Sequence, residues 1–234
     1  MNKRKEANVK KSTRSSLPRP KQSRNIEATK QLFLAAIGEM ILENGISSLR
    51  VNQVAKRAGR NKGLLYQYFH SLEGLLKEYL ELNDDFLVYE QKIDQVMEGH
   101  RADQGRELAS LILKNHFQNF MSNKLLRQIS LLELTERSDL LVELSNSRER
   151  LGDKLFSLSE DYFRNTGVSI RVIEAILIAG INYIVLHSET NSVNFCGIDI
   201  KNDDHRNLIR KTLHQITEWA YEHAEAVKSG KKAI

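Results

Sequence analysis

The sequence predicts an all-α fold, with an N-terminal three-helix unit built on a helix-turn-helix and a larger helical domain behind it. Three observations carry this. Pro18 and Pro20 are the only prolines in 234 residues, so residues 21–234 form one proline-free run. Proline removes a backbone donor and clashes with the preceding turn, so such a run suits long helices; an all-β chain carries prolines in its turns. Apolar residues also recur at three- and four-residue steps through most of the run. Finally, two short apolar-faced stretches are joined through Gly59, in a segment from 44 to 72 that contains no acid.

Three parts are expected: a disordered basic tail over residues 1–24, the helix-turn-helix unit over 25–82, and the remaining helices over 83–234. The tail is polar, with nine lysines and arginines against Glu6 alone in residues 1–25. The whole chain is only +5, so the body is slightly acidic. A basic arm of this kind tracks phosphates or is simply solvated, and both readings stay open. Hydrophobic residues at 41% and charged residues at 28% are ordinary for a globular chain. Cys196 is the single cysteine, which excludes an intramolecular disulfide or a multi-cysteine metal site. It reads either as a small, partly buried apolar residue or as a redox-sensing thiol. No apolar stretch follows the charged N-terminus, and runs such as Ile176–Ile181 are too short to span a bilayer. The expectation is a soluble, cytoplasmic protein with no membrane partner.

The first helix is expected over 25–44, capped by Asn25 and ended by Gly45, with Ile26, Thr29, Phe33, Ala36, Ile37, Met40 and Ile41 as its apolar stripe. A short helix follows over 51–58, with Val51, Val54 and Ala55 inward. Asn61 caps a third over 62–68, with Leu65 and Phe69 inward. Ser71 caps a fourth, with Glu73 in its first turn and a stripe of Leu72, Leu75, Leu76, Tyr79 and Leu80 continuing toward Phe86. Further helices are expected over 103–122 (with Leu108, Leu111, Ile112, His116, Phe117 and Phe120 as its apolar stripe), 124–137, 139–165 and 169–187. A polar loop and a last helix over 204–228 complete the chain.

Between Glu43 and Glu73 lie Arg50, Lys56, Arg57, Arg60 and Lys62. Paired short helices with this charge form a helix-turn-helix signature. The outer face of the second helix needs polar, planar or basic tips to enter a major groove, while its inner face must be anchored. The pattern Ala55-x-x-Ala58-Gly59, then Gly63-x-Leu65-Tyr66-x-Tyr68-Phe69-x-Ser71-x-Glu73, is far more specific than that. With Ala35-Ala36 and Gly45 upstream, residues 30–80 resemble the DNA-binding segment of TetR-type transcriptional regulators.

That resemblance implies roles by position. Lys62, Tyr66 and Tyr68 would meet the phosphate backbone, and Arg50 and Asn52 would do so at the start of the preceding helix. Asn61, Gly63, Leu64 and Gln67 would face base edges, and Gln67 is chemically suited to read adenine. Tyr66 has core packing as its alternative. Two positions depart from the family pattern. Arg60 replaces a buried Val or Ile, which would expose it toward DNA. Leu72 replaces a phosphate-contacting Lys or Arg, a loss that the tail or Arg60 would offset.

The resemblance further implies a ligand-sensing and dimerisation domain over 83–234. The last two helices carry Val172, Ile173, Ile176, Leu177, Gly180, Ile181, Ile184 and Val185, then Leu208, Ile209, Leu213, Ile216, Trp219, Ala220 and His223. They would form an intersubunit four-helix bundle in a homodimer, with an intrachain core as the alternative. Candidate residues to line an effector pocket are His116, Phe117, Phe120, Tyr162, Tyr183 and His187, each with plain core packing as its favoured alternative. The implied function is a sequence-specific repressor on a palindromic operator, released by an unknown and largely apolar small molecule. An activator, a nonspecific nucleoid-type protein and an all-α enzyme are the rival readings. No phosphate loop, His-Glu-x-x-His or Gly-x-Ser-x-Gly is present, so neither catalysis nor a cofactor is expected. No metal site is expected either: Asp203-Asp204-His205 reads as a capped helix start, and Glu133, Glu136, Asp139 and Glu143 as a solvated face.

Overall fold

The computed structural model describes residues 21–83, 92–190 and 194–230. Among these are ten α-helices: α1 (Lys21–Asn44), α2 (Val51–Arg57), α3 (Lys62–Phe69), α4 (Leu72–Asn83), α5 (Ile93–Gly99), α6 (Arg106–Ser122), α7 (Lys124–Thr135), α8 (Asp139–Phe163), α9 (Ile170–Thr190) and α10 (Asp203–Lys228). Two short strands, β1 (Asn194–Phe195) and β2 (Ile198–Asp199), pair antiparallel between α9 and α10.

α1 begins a turn before the expected Asn25 cap, directly after Pro20, so the four residues before Asn25 are helical and not tail. Proline is excluded from helix interiors but leaves the next residue free to start one. Asn25 therefore sits inside the helix, where its carbonyl accepts from Thr29 Oγ1 (2.8 Å). The tail up to Pro20 and Phe86 lie outside the described residues. At the other end, Gly45 stops α1 at φ 80°.

The first core cluster joins Phe33, Ile37 and Ile41 of α1, Val54 of α2, Leu65 and Phe69 of α3, and Leu75 and Leu80 of α4. Leu125, Ile129 and Leu132 of α7 belong to the same cluster, as do Leu140, Leu141 and Leu144 of α8. The core thus runs through position 82 without interruption. Ile26, expected inward, is exposed.

A second cluster gathers Leu113, Phe117 and Phe120 of α6, Ile181 and Val185 of α9, Ile200, and Leu213 of α10. A third gathers Ala109, Phe163, Ile170, Ala220, Tyr221 and Ala224. Ties bind the first helices to the rest. Ser47 Oγ donates to Glu136 Oε1 (3.1 Å), Lys77 Nζ donates to Glu143 Oε2 (2.7 Å), and Lys124 Nζ donates to the Leu42 carbonyl (2.5 Å). Glu133 meets Arg148 at 2.5 Å. Glu136, Asp139 and Glu143 are exposed, as the solvated-face reading expects, although Glu136 and Glu143 also pair with the first helices; Glu133, half-buried against Arg148 of α8, departs from it.

Three other expectations are corrected. The segment before α10 contains a hairpin, and Cys196 is exposed at its tip with φ 52°, not partly buried. Leu111, expected on the inner stripe of α6, is exposed. α9 is long and apolar enough over Ile170–Glu189 (mean hydropathy 1.7) to cross a membrane by length and composition. Glu174 and Asn182 interrupt its apolar runs, so no single unbroken run reaches that length. In the fold α9 packs on α6, α8 and α10, and it turns Val172, Ile176 and Tyr183 to solvent.

Candidate nucleic-acid interface

The helix pair is held rigidly from behind. Arg57, at the end of α2, donates from Nη1 to Glu39 Oε2 (3.2 Å) and from Nη2 to Glu43 Oε2 (2.7 Å) on α1. These bonds raise the arginine pKa further and lower that of Glu43. Arg57 is thus a tether, unlike the other basic residues of this segment. Gly59 makes the turn at φ 62°, where a side chain would be strained, and the Arg60 amide reaches back to the Ala55 carbonyl (3.0 Å). Asn61 caps α3, its Oδ1 accepting from the Gly63 amide (2.8 Å).

α3 is amphipathic over barely two turns. Leu65 and Phe69 are buried, and the Phe69 ring meets Phe33 edge-on at 6.0 Å. Lys30 Nζ lies 5.1 Å from the centre of the Phe69 ring and pairs with Glu78 of α4 at 2.7 Å. Ser71 Oγ accepts from the Gly74 amide (2.9 Å) at the start of α4. A Cβ on Gly74 would fall 2.1 Å from the Phe69 carbonyl oxygen, so only glycine permits this approach of α4 to α3.

Lys62, Gly63, Tyr66 and Gln67 are exposed, and Tyr66 retains 48% of its surface. Leu64 and Tyr68 are half-buried and pack against the core by one side. Arg50, Asn52, Arg60 and Asn61 are exposed. Arg50 Nη1 rests on the carbonyls of Ser47 (3.0 Å) and Leu49 (2.7 Å), and Arg60 Nη1 on that of Gly59 (3.0 Å). Leu72 is half-buried against the core. Gln53 and Lys56, which sequence reasoning did not single out as contacts, join Asn52 on the exposed face of α2; their three- and four-residue spacing was the available signal.

The six residues expected around one effector pocket fall into three clusters. His116, Phe117 and Phe120 stay together on α6, with both phenylalanines fully buried. His116 Nε2 bonds Asn182 Oδ1 (2.7 Å), and burial lowers its pKa, so it is neutral near pH 7. Tyr183 and His187 instead surround Phe195 of the hairpin, at 4.9 and 5.4 Å between ring centres. Tyr162 stacks on Tyr221 at 5.3 Å, with Lys228 Nζ 3.9 Å from its ring centre. Helical spacing showed the inward faces but not which neighbour each face meets.

Two of the clefts bear on ligand binding. One, of about 400 Å³, runs between α6 and α10 past Arg106, Ser110, Lys114, His214 and Glu218. There Arg106 holds Glu218 at 2.7 Å, and Ser110 Oγ bonds His214 Nδ1 at 2.9 Å. The other, of about 430 Å³, lies between α1 and α4 on one side and α6 and α7 on the other. His100, Asp103 and Glu107 bring ligand-type atoms within 4.8 Å of one another. However, Asp103 uses both oxygens as a cap, accepting from the amides of Gly105 and Glu107. Asp203-Asp204-His205 is a capped start, with Asn202 Oδ1 accepting from the Asp204 and His205 amides.

The sequence profile described as "Bacterial regulatory proteins, tetR family" matches residues 33–79, which run from α1 into α4. No curated protein sequence matches the chain. Among solved structures, the transcriptional regulator FadR from Bacillus subtilis, in complex with stearoyl-CoA, is similar at 19% identity and TM-score 0.52, covering 80% of this chain and 96% of that one. The fatty acid degradation regulator FadR from Bacillus halodurans is similar at 19% identity and TM-score 0.51, with the same coverage. These likenesses show a common fold over most of the chain, and the profile falls on the helices whose geometry is described above. The helix-turn-helix segment of the chain therefore resembles that of the tetR family of bacterial regulatory proteins, and most of the chain shares the fold of these regulators.

Proposed function

We propose that the protein is a cytoplasmic, non-enzymatic repressor that grips a palindromic operator as a homodimer and is released from it by a small-molecule effector. Residues 25–82 act as the DNA-binding part and 83–234 as the sensing and dimerising part. The observation that carries this reading is the outward stripe of Lys62, Gly63, Tyr66 and Gln67 on a helix anchored by Leu65 and Phe69, within a segment free of acids. Asn61, Gly63, Leu64 and Gln67 face base edges. Lys62, Tyr66 and Tyr68 meet phosphates, as do Arg50, Asn52 and Arg60 around the turn. Dimerisation follows from the DNA: two recognition helices must reach half-sites about 34–36 Å apart. The solvent-facing apolar residues of α9 and α10 (Val172, Ile176 and Tyr183; Leu208 and Trp219) supply the contact.

The test compares binding to DNA upstream of the protein's own gene with binding to random DNA at physiological salt. A specific regulator prefers its operator by a factor on the order of 10³ or more. Equal affinities would return the protein to the nonspecific nucleoid class.

A further inference from the structure

We propose that the cleft between the N-terminal helices and the C-terminal bundle binds a small hydrophilic oxyanion, a carboxylate or a phosphate, and that its occupancy weakens operator binding. The inference rests on the regulator reading above and names the chemistry of the effector.

The cleft, about 430 Å³, is of a size usual for small-molecule sites. Its walls are polar: Tyr79 and Asn83 from α4, Asn119 and Ser122 from α6, then Asn123 and Lys124 where α7 begins. Leu42 and Leu125 close the lining, and no carboxylate belongs to it. Lys124 is its one charged side chain, in the first turn of α7, where the helix dipole also favours negative charge.

Of the lining groups, the Ser122 hydroxyl proton goes to the Gln118 carbonyl (3.0 Å) and one Asn83 amide proton to the Tyr79 carbonyl (2.8 Å), and the spare donors lie on Lys124, Asn123 and Asn119. Lys124 Nζ gives one proton to the Leu42 carbonyl (2.5 Å) and keeps two more. Asn123 commits Oδ1 to capping Leu126, which leaves its amide protons to the cleft. Asn119 has no side-chain hydrogen bond among the described residues. Spare donors around one cation, with no acid beside them, suit the acceptor oxygens of an anion. A long apolar chain finds little here to bury against.

Position supplies the regulation. Lys124 joins α7 to the carbonyl end of α1, the helix on which α2 and α3 are anchored. An oxyanion held by the spare protons of Lys124 draws the ammonium into the cleft and away from the Leu42 carbonyl, so occupied and empty states present the recognition helix differently.

The test reads operator affinity in sodium phosphate, in sodium succinate and in sodium chloride at matched ionic strength. Phosphate, succinate or both weaken binding by about tenfold relative to chloride, and Asn119→Ala and Lys124→Met each lose that ratio. Whichever arm responds identifies the source of the oxyanion. A chloride-like result in both arms, or a ratio retained in either variant, overturns the proposal. Titration calorimetry of the same anions into the DNA-free protein separates this from a failure of the regulator reading. Binding heat that disappears in Asn119→Ala supports the site even if no operator is bound, and absence of heat in the wild type overturns it.

Discussion

At the scale of single residues, charge alone says little about role. Arg57 and Lys62 are five positions apart in one acid-free segment. Arg57 is bound to two carboxylates of α1, whereas Lys62 has no ion-pair partner among the described residues. The distinction lies in where Glu39 and Glu43 fall on α1, 18 and 14 residues before Arg57, and it becomes visible only when the helices are packed. Glu174 illustrates the converse case. It is only 4% exposed on α9 near Tyr221, and burial pushes its carboxyl up to about 7. The folded state therefore keeps a proton that the unfolded chain gives up near the ordinary carboxylate value. Stability from this group falls as pH rises from about 4.5 to about 7 and is level above that. Glu174→Gln removes the effect. Denaturant unfolding should find the variant close to wild type at pH 5 and more stable at pH 8, by up to about 3 kcal/mol. A gap of the same size at both pH values would show that the carboxyl is not held protonated.

At the scale of elements, the contact between α3 and α4 turns on Gly74. Alanine is normally the better helix former, by up to about 1 kcal/mol. Here its Cβ would meet the Phe69 carbonyl at 2.1 Å, and a backbone oxygen cannot rotate away. Gly74→Ala should therefore destabilise the protein by about 1–3 kcal/mol and weaken operator binding, because α3 must shift on its anchor. Wild-type melting and affinity in this variant would show that the junction relaxes freely. The same elements show what the sequence made legible. Local rules suffice for α2, α3 and the caps, since Gly59, Asn61 and Ser71 act through their immediate neighbours. They failed where contacts are distant. The Cys196–Gly197 turn is flanked by the alternating runs Val193-Asn194-Phe195 and Ile198-Asp199-Ile200, but each is too short to stand out from the polar segment around it. The inward faces of α6 and α9 were readable, but not that Tyr183 and His187 close on Phe195 while His116 closes on Asn182.

At the scale of the whole molecule, the apolar surface of α9 is out of proportion to what one subunit buries. Val172, Ile176 and Tyr183 recur at four- and seven-residue steps, and Ile176 is 66% exposed. On α10, Leu208 and Trp219 are likewise exposed, Trp219 at 59%. Ala179 and Gly180, also exposed, leave room between these side chains for another helix to approach. A two-fold axis through such a surface sets each residue against a copy of itself or of a near neighbour, so one substitution acts twice. Ile176→Glu places two carboxylates in what would be a dry interface, where an unpaired charge is costly. It touches neither the recognition helix nor the three core clusters. Sedimentation should therefore find the variant at monomer mass with its helical circular dichroism retained. Its operator affinity should fall by more than tenfold, since a single recognition helix engages only one half-site. A variant that sediments as a dimer with wild-type operator binding would place the subunit contact elsewhere and leave the exposed face of α9 to a different partner.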